Sequence, residues 1–176
     1  MEINIKGIKI FKSKIFYDNR GSFKEAYKEK LLPNKKLIFD CVSSSKKNVL
    51  RGLHLQTKNP QAKFLTVIKG KIFDVLVDLR KDSKTFGKHF SITLSDRLSY
   101  SSIYIPEGFA HGFCALEKEN IVYYGCSNYR KKKYEIGIMW NDKNLKIKWP
   151  IKKPILSKKD SQNLSFEEYR DKYKPR

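Results

Sequence analysis

The chain has 176 residues, 40% hydrophobic and 13% aromatic, which suits one globular domain with a sizeable core and excludes a disordered chain. It carries 38 Lys and Arg against 18 Asp and Glu, a formal charge of +20 that would attract nucleic acid, anionic lipid or a phosphorylated small molecule. The lysines are scattered, no helix-turn-helix, zinc-finger or ribonucleoprotein-type aromatic signature goes with them, and no run of about eighteen apolar residues occurs, so neither nucleic acid nor membrane is expected as a partner. The first seven residues lack the apolar core of a signal peptide, and the expected location is the cytoplasm. Cys41, Cys114 and Cys126 have no Cys-x-x-Cys spacing and read as reduced, mostly buried thiols.

Residues 3 to 11 alternate loosely and end in Ile8-Lys9-Ile10-Phe11, a first strand. Asp18-Asn19-Arg20-Gly21 has turn chemistry, and Ser22 to Tyr27 alternates as a strand with Phe23 and Glu25 on one face. Pro33-Asn34 marks a turn, Leu37 to Val42 a strand, and Ser43 to Asn48 a polar loop. Val49 to Gln56 reads as a short strand that brings Arg51, His54 and Gln56 into one neighbourhood. Arg51 and His54 have opposite parity in an ideal strand, so a bulge or a strand-end site is needed for both to serve one cleft. Phe64 to Ile68 and Lys71 to Leu79 flank Lys69-Gly70 and read as a tight hairpin. In its second arm Phe73, Val75, Val77 and Leu79 share one face, Asp74 and Asp78 the other. His89 sits in a lysine-rich turn. Phe90 to Leu94, Ile103 to Ile105, His111 to Leu116, Ile121 to Cys126 and Tyr134 to Trp140 complete the strands. Ser165-Phe166-Glu167-Glu168 has capping-box spacing, which predicts a short helix through Tyr173.

Strands recurring about every ten residues, with Gly, Pro or Asn between them, predict an all-β jelly-roll barrel or sandwich with a short C-terminal helix. The expected layout is one domain over residues 1–176: N-terminal strands over 1–30, a jelly roll over about 35–150, and a tail and helix over 151–176.

A lone histidine on a strand can be a base, a metal ligand or a packed imidazole. Pro106-x-Gly108-x-x-His111 matches the second motif of cupin jelly rolls, but the place of the first motif's His-x-His reads His54-Leu55-Gln56. A catalytic metal needs about three converging ligands, so no metal site is expected in a chain with three histidines and this gap. His111 reads equally as a pocket wall or a core imidazole. Tyr124 stands beside Tyr123, and its spacing to His111 and Cys126 selects it as the inward one.

Longer motifs make the likeness specific. Asp18-x-Arg20-Gly21-x-Phe23-x-Glu25, Val49-Leu50-Arg51-Gly52-Leu53-His54-x-Gln56, Phe73-Asp74-Val75-x-Val77-Asp78-Leu79-Arg80, Ile105 to Phe113, Tyr129 to Trp140 and Leu156-Ser157-Lys158-Lys159-Asp160 follow one another in order. Through them the chain resembles the dTDP-4-dehydrorhamnose 3,5-epimerase family over nearly its whole length. The resemblance implies a cupin-type epimerase needing no metal and no cofactor. Its implied substrate is a 4-keto-6-deoxy sugar, hexose or heptose, on a nucleoside diphosphate (dTDP or GDP), in surface-polysaccharide biosynthesis. It also implies roles: His54 as catalytic base, Asp160 as the carboxylate that orients it, Lys63 near the enolate oxygen, and Tyr124 as the acid on the opposite sugar face, with a nearby lysine supporting partial phenolate character. Arg51 is expected to hold the diphosphate, with Gln56, His111 and Tyr129 also at the substrate. Arg20, Phe23 and Glu25 are expected to contact the nucleotide from a partner subunit, in a homodimer that exchanges N-terminal strands.

Two positions depart from the family pattern: Leu55 stands where an aromatic residue is usual, and Cys41 where asparagine is. They leave open the sugar, the base and whether C3, C5 or both centres are inverted. A 3,4-ketoisomerase and a non-catalytic sugar-nucleotide-binding cupin are the competing expectations.

Overall fold

The computed structural model describes residues 5–32, 34–98 and 100–173. Its elements are β1 (Lys9–Lys12), β2 (Ile15–Asp18), β3 (Gly21–Lys24), β4 (Phe39–Lys46), β5 (Leu50–Gln56), β6 (Lys63–Lys69), β7 (Lys71–Asp78), β8 (His89–Ser95), β9 (Tyr100–Ile105), β10 (Phe109–Ala115), β11 (Glu119–Cys126), β12 (Glu135–Gly137) and α1 (Phe166–Tyr173). Two five-stranded antiparallel sheets, ordered β1-β9-β6-β11-β4 and β12-β5-β10-β7-β8, form a jelly roll, and β2–β3 stands apart as its own hairpin.

Alternation explains the layering. Leu65, Val67, Ile103, Ile105 and Val122 of the first sheet meet Ile72, Leu76, Ile92, Leu94 and Phe113 of the second in one buried core. The other face of the second sheet is buried as well: Leu53, Leu55, Val75 and Val77 pack under Ile138, Leu145 and Tyr169 of the C-terminal segment. A third cluster, Leu32, Ala62, Phe64 and Tyr104, covers the first sheet's outer side near the cleft end. The capping box forms as expected, with the Glu168 N–H donating to Ser165 Oγ at 3.1 Å and the Ser165 N–H to Glu168 Oε2 at 2.7 Å.

Several local expectations need correction. The stretches around Lys69-Gly70 are not a hairpin: β6 pairs with β11 and β9, β7 with β10 and β8, so the chain switches sheets there. Gly70, at φ +86°, turns a corner in which a Cβ would lie 2.3 Å from the Glu119 carbonyl oxygen. A local turn signal says that the chain changes direction but not which sheet receives it. Residues 43–46 continue β4 instead of looping, because Ser43, Ser44 and Ser45 pair with Val122, Ile121 and Asn120 of β11. Ile15–Asp18 is a strand, paired with β3 across Asn19-Arg20, and β3 stops at Lys24, short of Glu25. His89 opens β8 rather than lying in a turn. The segment expected as a strand from Tyr134 forms a 3₁₀ turn (Lys132–Tyr134), the three residues of β12 and an isolated bridge from Ile138 to Leu164. Residues 3 and 4 of the first expected strand, and Pro33 of the turn, lie outside the described residues.

The bulge needed to reconcile Arg51 with His54 is present. Phe113 pairs with Arg51 and His111 with His54, so three residues of β5 span the length of two in β10. Gly52 sits in the bulge at φ +118°, where a Cβ would lie 2.5 Å from Gly112 Cα; on Gly112 a Cβ would lie 2.7 Å from the Arg51 carbonyl oxygen. Both contacts are backbone, so neither can yield by a rotamer change. Gly52→Ala is therefore expected to cost at least about 2 kcal/mol in urea unfolding, through φ strain and a backbone clash together. A midpoint unchanged from wild type would show that the bulge is not constrained in this way.

Candidate active site

A cleft of about 330 Å³ opens between the two sheets at one end of the jelly roll. Arg51 and His54 reach it from β5, His111 and Phe113 from β10 and Glu135 from β12, all in the second sheet. Lys63 (β6), Phe39 and Cys41 (β4), and Tyr124 and Cys126 (β11) line it from the first sheet. Ser157, Lys159 and Asp160 close one side. The two sheets thus present different chemistry across one space.

His54 Nε2 lies 2.5 Å from Asp160 Oδ1, and Asp160 is buried at 5% exposure. Burial pushes the Asp160 carboxyl upward, but the hydrogen bond and charge of His54 and the Ser157 hydroxyl outweigh it, leaving the group below its ordinary range. The carboxylate is therefore ionised at neutral pH and accepts an Nε2–H, which fixes that tautomer. Nδ1 has no hydrogen-bond partner among the described residues and is left to face a ligand. This is the arrangement a general base requires.

Lys63 and Tyr124 belong to the opposite sheet. Burial holds the Lys63 ammonium below its usual range, against the favourable charges of Cys126 and Glu135. Burial drives the Tyr124 phenol upward, more than the hydrogen bond with Ser43 Oγ at 3.1 Å and the charge of Arg51 draw it down. The expectation of partial phenolate character is thus corrected: Tyr124 stays a protonated donor, because a desolvated phenolate is too costly there. Tyr123, one residue earlier, points to the other face and donates to Asp40 Oδ1 at 2.9 Å.

His111 is 5% exposed and both lines the cleft and packs as a core imidazole, its Nε2 2.7 Å from Asp74 Oδ1. The Tyr124 ring stands edge-on to it at 6.5 Å. Asp74 is fully buried, and its Oδ2 has no hydrogen-bond partner. Arg51 is braced by Ser45 Oγ and the Ser44 carbonyl, each at 3.0 Å, while Nη1 is unengaged among the described residues.

Other expected residues lie elsewhere. Gln56 is buried with both ends of its amide engaged: Nε2 donates to the Asn59 and Tyr129 carbonyls, and Oε1 accepts from the Lys131 N–H. It ties two loops together rather than offering free donors to a ligand. Tyr129 is 61% exposed, outside the cleft, with its ring against Phe39. Arg20 pairs with Asp18 and Glu25 with Lys28, and Phe23 is 66% exposed, so none of the three lines this chain's cleft.

Sequence reasoning missed Ser43, Asp74 and Glu135. Glu135 is held by Arg130, with Nε donating to Oε2 at 2.6 Å, and by a very short contact with Lys159. Burial pushes its carboxyl up, but those two partners bring it down to about 2. Only Asp74 carried a signal, as an acidic residue on a strand whose two faces are both buried.

A family profile described as dTDP-4-dehydrorhamnose 3,5-epimerase matches residues 2–168. The dTDP-4-dehydrorhamnose 3,5-epimerase of Shigella flexneri is 41% identical over 172 residues, covering 94% of each chain. That of Methanothermobacter thermautotrophicus is 41% identical over 167 residues, covering 91% of this chain and 90% of its own. A dTDP-6-deoxy-D-glucose-3,5-epimerase from Legionella pneumophila, crystallised with dTDP-4-keto-L-rhamnose, superposes with a TM-score of 0.87 at 37% identity, covering 94% of this chain and 90% of that one. The jelly roll and its acid–base cleft define an isomerase of the cupin-like epimerase class. The chain belongs to the dTDP-4-dehydrorhamnose 3,5-epimerase family. Among the described residues, no helix is long and apolar enough to cross a membrane.

Glu135 gives a pH prediction. Its folded carboxyl titrates at about 2, against 4.5 ordinarily. Its contribution to stability is complete above pH 4.5 and lost as pH falls towards 2. Over that interval the wild type should lose stability more steeply than Glu135→Gln, as read by unfolding at stepped pH. Parallel curves would show that the ion pairs with Arg130 and Lys159 add nothing.

Proposed function

We propose that this chain epimerises a dTDP-linked 4-keto-6-deoxy sugar at both carbons flanking the ketone, C3 and C5. One observation carries the reading: an imidazole oriented by a buried carboxylate on one sheet faces a protonated phenol and a desolvated lysine on the other. Inversion needs a base and an acid on opposite faces of the sugar ring, and the two sheets supply that polarity.

His54 Nδ1 removes the proton from a carbon next to the ketone, and Asp160 stabilises the imidazolium that forms. Negative charge develops on the ketone oxygen, where the Lys63 ammonium neutralises it in a low-dielectric setting. Tyr124 delivers a proton from the other side, and the phenolate left behind is short-lived because burial disfavours it. Arg51, braced by Ser44 and Ser45, holds the diphosphate with its remaining guanidinium donors. The choice of dTDP over GDP rests on the ligand of the Legionella structure, and the choice of both centres on the activities named for relatives at about 40% identity.

The assembly proposed with this is a homodimer. Among the described residues the β2–β3 hairpin pairs with no other strand, and it exposes Phe16, Tyr17 and Phe23 at 53%, 74% and 66%. A second copy would cover those rings and receive Arg20, Phe23 and Glu25 near its nucleotide.

Incubation with dTDP-4-keto-6-deoxyglucose in deuterated water, followed by NMR, tests the chemistry. Deuterium is expected at both C3 and C5. His54→Ala should slow its incorporation at least about 10³-fold. Tyr124→Phe should retain exchange while losing inverted product. Absence of exchange in the wild type, or full exchange in His54→Ala, would contradict the reading. Carbonyl migration to C3 would mark a ketoisomerase instead.

A further inference from the structure

Cys41 and Cys126 stand together in the cleft wall, and the proton-transfer reading uses neither. They lie on adjacent antiparallel strands: Cys41 is opposite Tyr124, and Cys126 opposite Phe39, which makes the two thiols diagonal neighbours on the cleft face. Each thiol is near enough to influence the ionisation of the other. Cys41 is exposed on the edge strand β4, and Cys126 is 3% exposed beneath it. Burial pushes both thiols up, Cys126 to about 11, and Lys63, paired with Cys126 across β6 and β11, draws both part of the way down.

The diagonal relation decides what such a pair can do. Diagonal residues of an antiparallel ladder have Cα atoms about 7–8 Å apart, beyond the roughly 4.4–6.8 Å that a disulfide spans. Two metal–thiolate bonds of about 2.3 Å laid in line bridge about 4.6 Å between sulfurs, which suits thiols on one face at the wider diagonal spacing. Among the described residues no group of three or more His, Cys, Asp or Glu could hold a metal, so an ion needing three or four ligands has no cage here. Soft thiolates select soft ions, and two-coordinate binding is the preference of d¹⁰ monovalent cations. We propose that Cys41 and Cys126 form a two-coordinate site for a thiophilic monovalent cation of the Cu(I) class in the wall of the cleft. Binding releases two protons and leaves a dithiolate–metal unit of net charge −1, which Lys63 stands beside to neutralise.

The test uses the reduced full-length chain and Cu(I) delivered as its bicinchoninate complex, with colour loss reporting transfer to the protein. One Cu(I) per chain is expected to transfer, with X-ray absorption showing two sulfur neighbours. Cys41→Ser and Cys126→Ser should each weaken transfer at least tenfold, while Cys114→Ala, whose thiol is buried in β10 outside the cleft, should leave it unchanged. Since Cys41 is exposed on an edge strand, its variant keeps the fold and gives a clean reading even if the buried Cys126 variant does not. Transfer that persists undiminished in Cys41→Ser, or a coordination shell of one sulfur with nitrogen donors, would overturn the site. Loading should also lower epimerase activity in the wild type; that effect alone rests on the proposed function, because metal transfer is read without any sugar.

Discussion

The site depends on a backbone constraint, the close approach of Gly52 in β5 to Gly112 in β10. With both residues lacking a Cβ, the two strands can lie against each other while three residues of one span two of the other. That offset reverses the parity of β5 between Arg51 and His54. A regular strand would send one of them into the cleft and the other into the apolar layer under the C-terminal segment, where Leu53 and Leu55 lie. A guanidinium placed there would have neither water nor a partner. The bulge avoids that cost and lets one short strand supply both the anchor and the base.

The rest of the site follows from how buried charges are compensated. Asp160 and Glu135 are partly desolvated carboxylates, and each is kept ionised by the partners it holds: His54 for the first, Arg130 and Lys159 for the second. Lys159 and Asp160 are adjacent in the chain, so the Glu135 ion pair also tethers the segment that carries the carboxylate orienting the base. Asp74 does the same for His111 from inside the barrel. On the first sheet desolvation outweighs the contacts that oppose it, which keeps Tyr124 protonated and eases the Lys63 ammonium towards neutrality. One sheet is tuned to accept a proton and the other to give one.

Much of this was legible in the chain. Strand spacing gave the all-β class, and the opposite parity of Arg51 and His54 required the bulge that is found. Ordered motifs pointed to the family that the comparisons show. What stayed hidden was non-local. Lys69-Gly70 carries the local signal of a hairpin, yet it joins two sheets, because the choice is made by β9, β10 and β11. The serines after Val42 have poor strand propensity and become a strand only because β11 offers a partner. Asp74 read as one of two aspartates on the polar face of β7, whereas both faces of that strand are buried and the carboxylate serves His111. Ser43 and Glu135 had no signal of their own, since what matters is the group each meets, Tyr124 on the neighbouring strand for the first and Arg130 with Lys159 for the second.

The central claim is that His54 gives its Nε2–H to Asp160 and turns Nδ1 to the substrate as the base. Nitrogen-15 NMR of the histidine-labelled protein at neutral pH reads this directly. A protonated Nε2 and an unprotonated Nδ1 on His54, with the tautomer preference lost in Asp160→Asn, is the result predicted. A proton on Nδ1, or a tautomer indifferent to Asp160, would contradict the account.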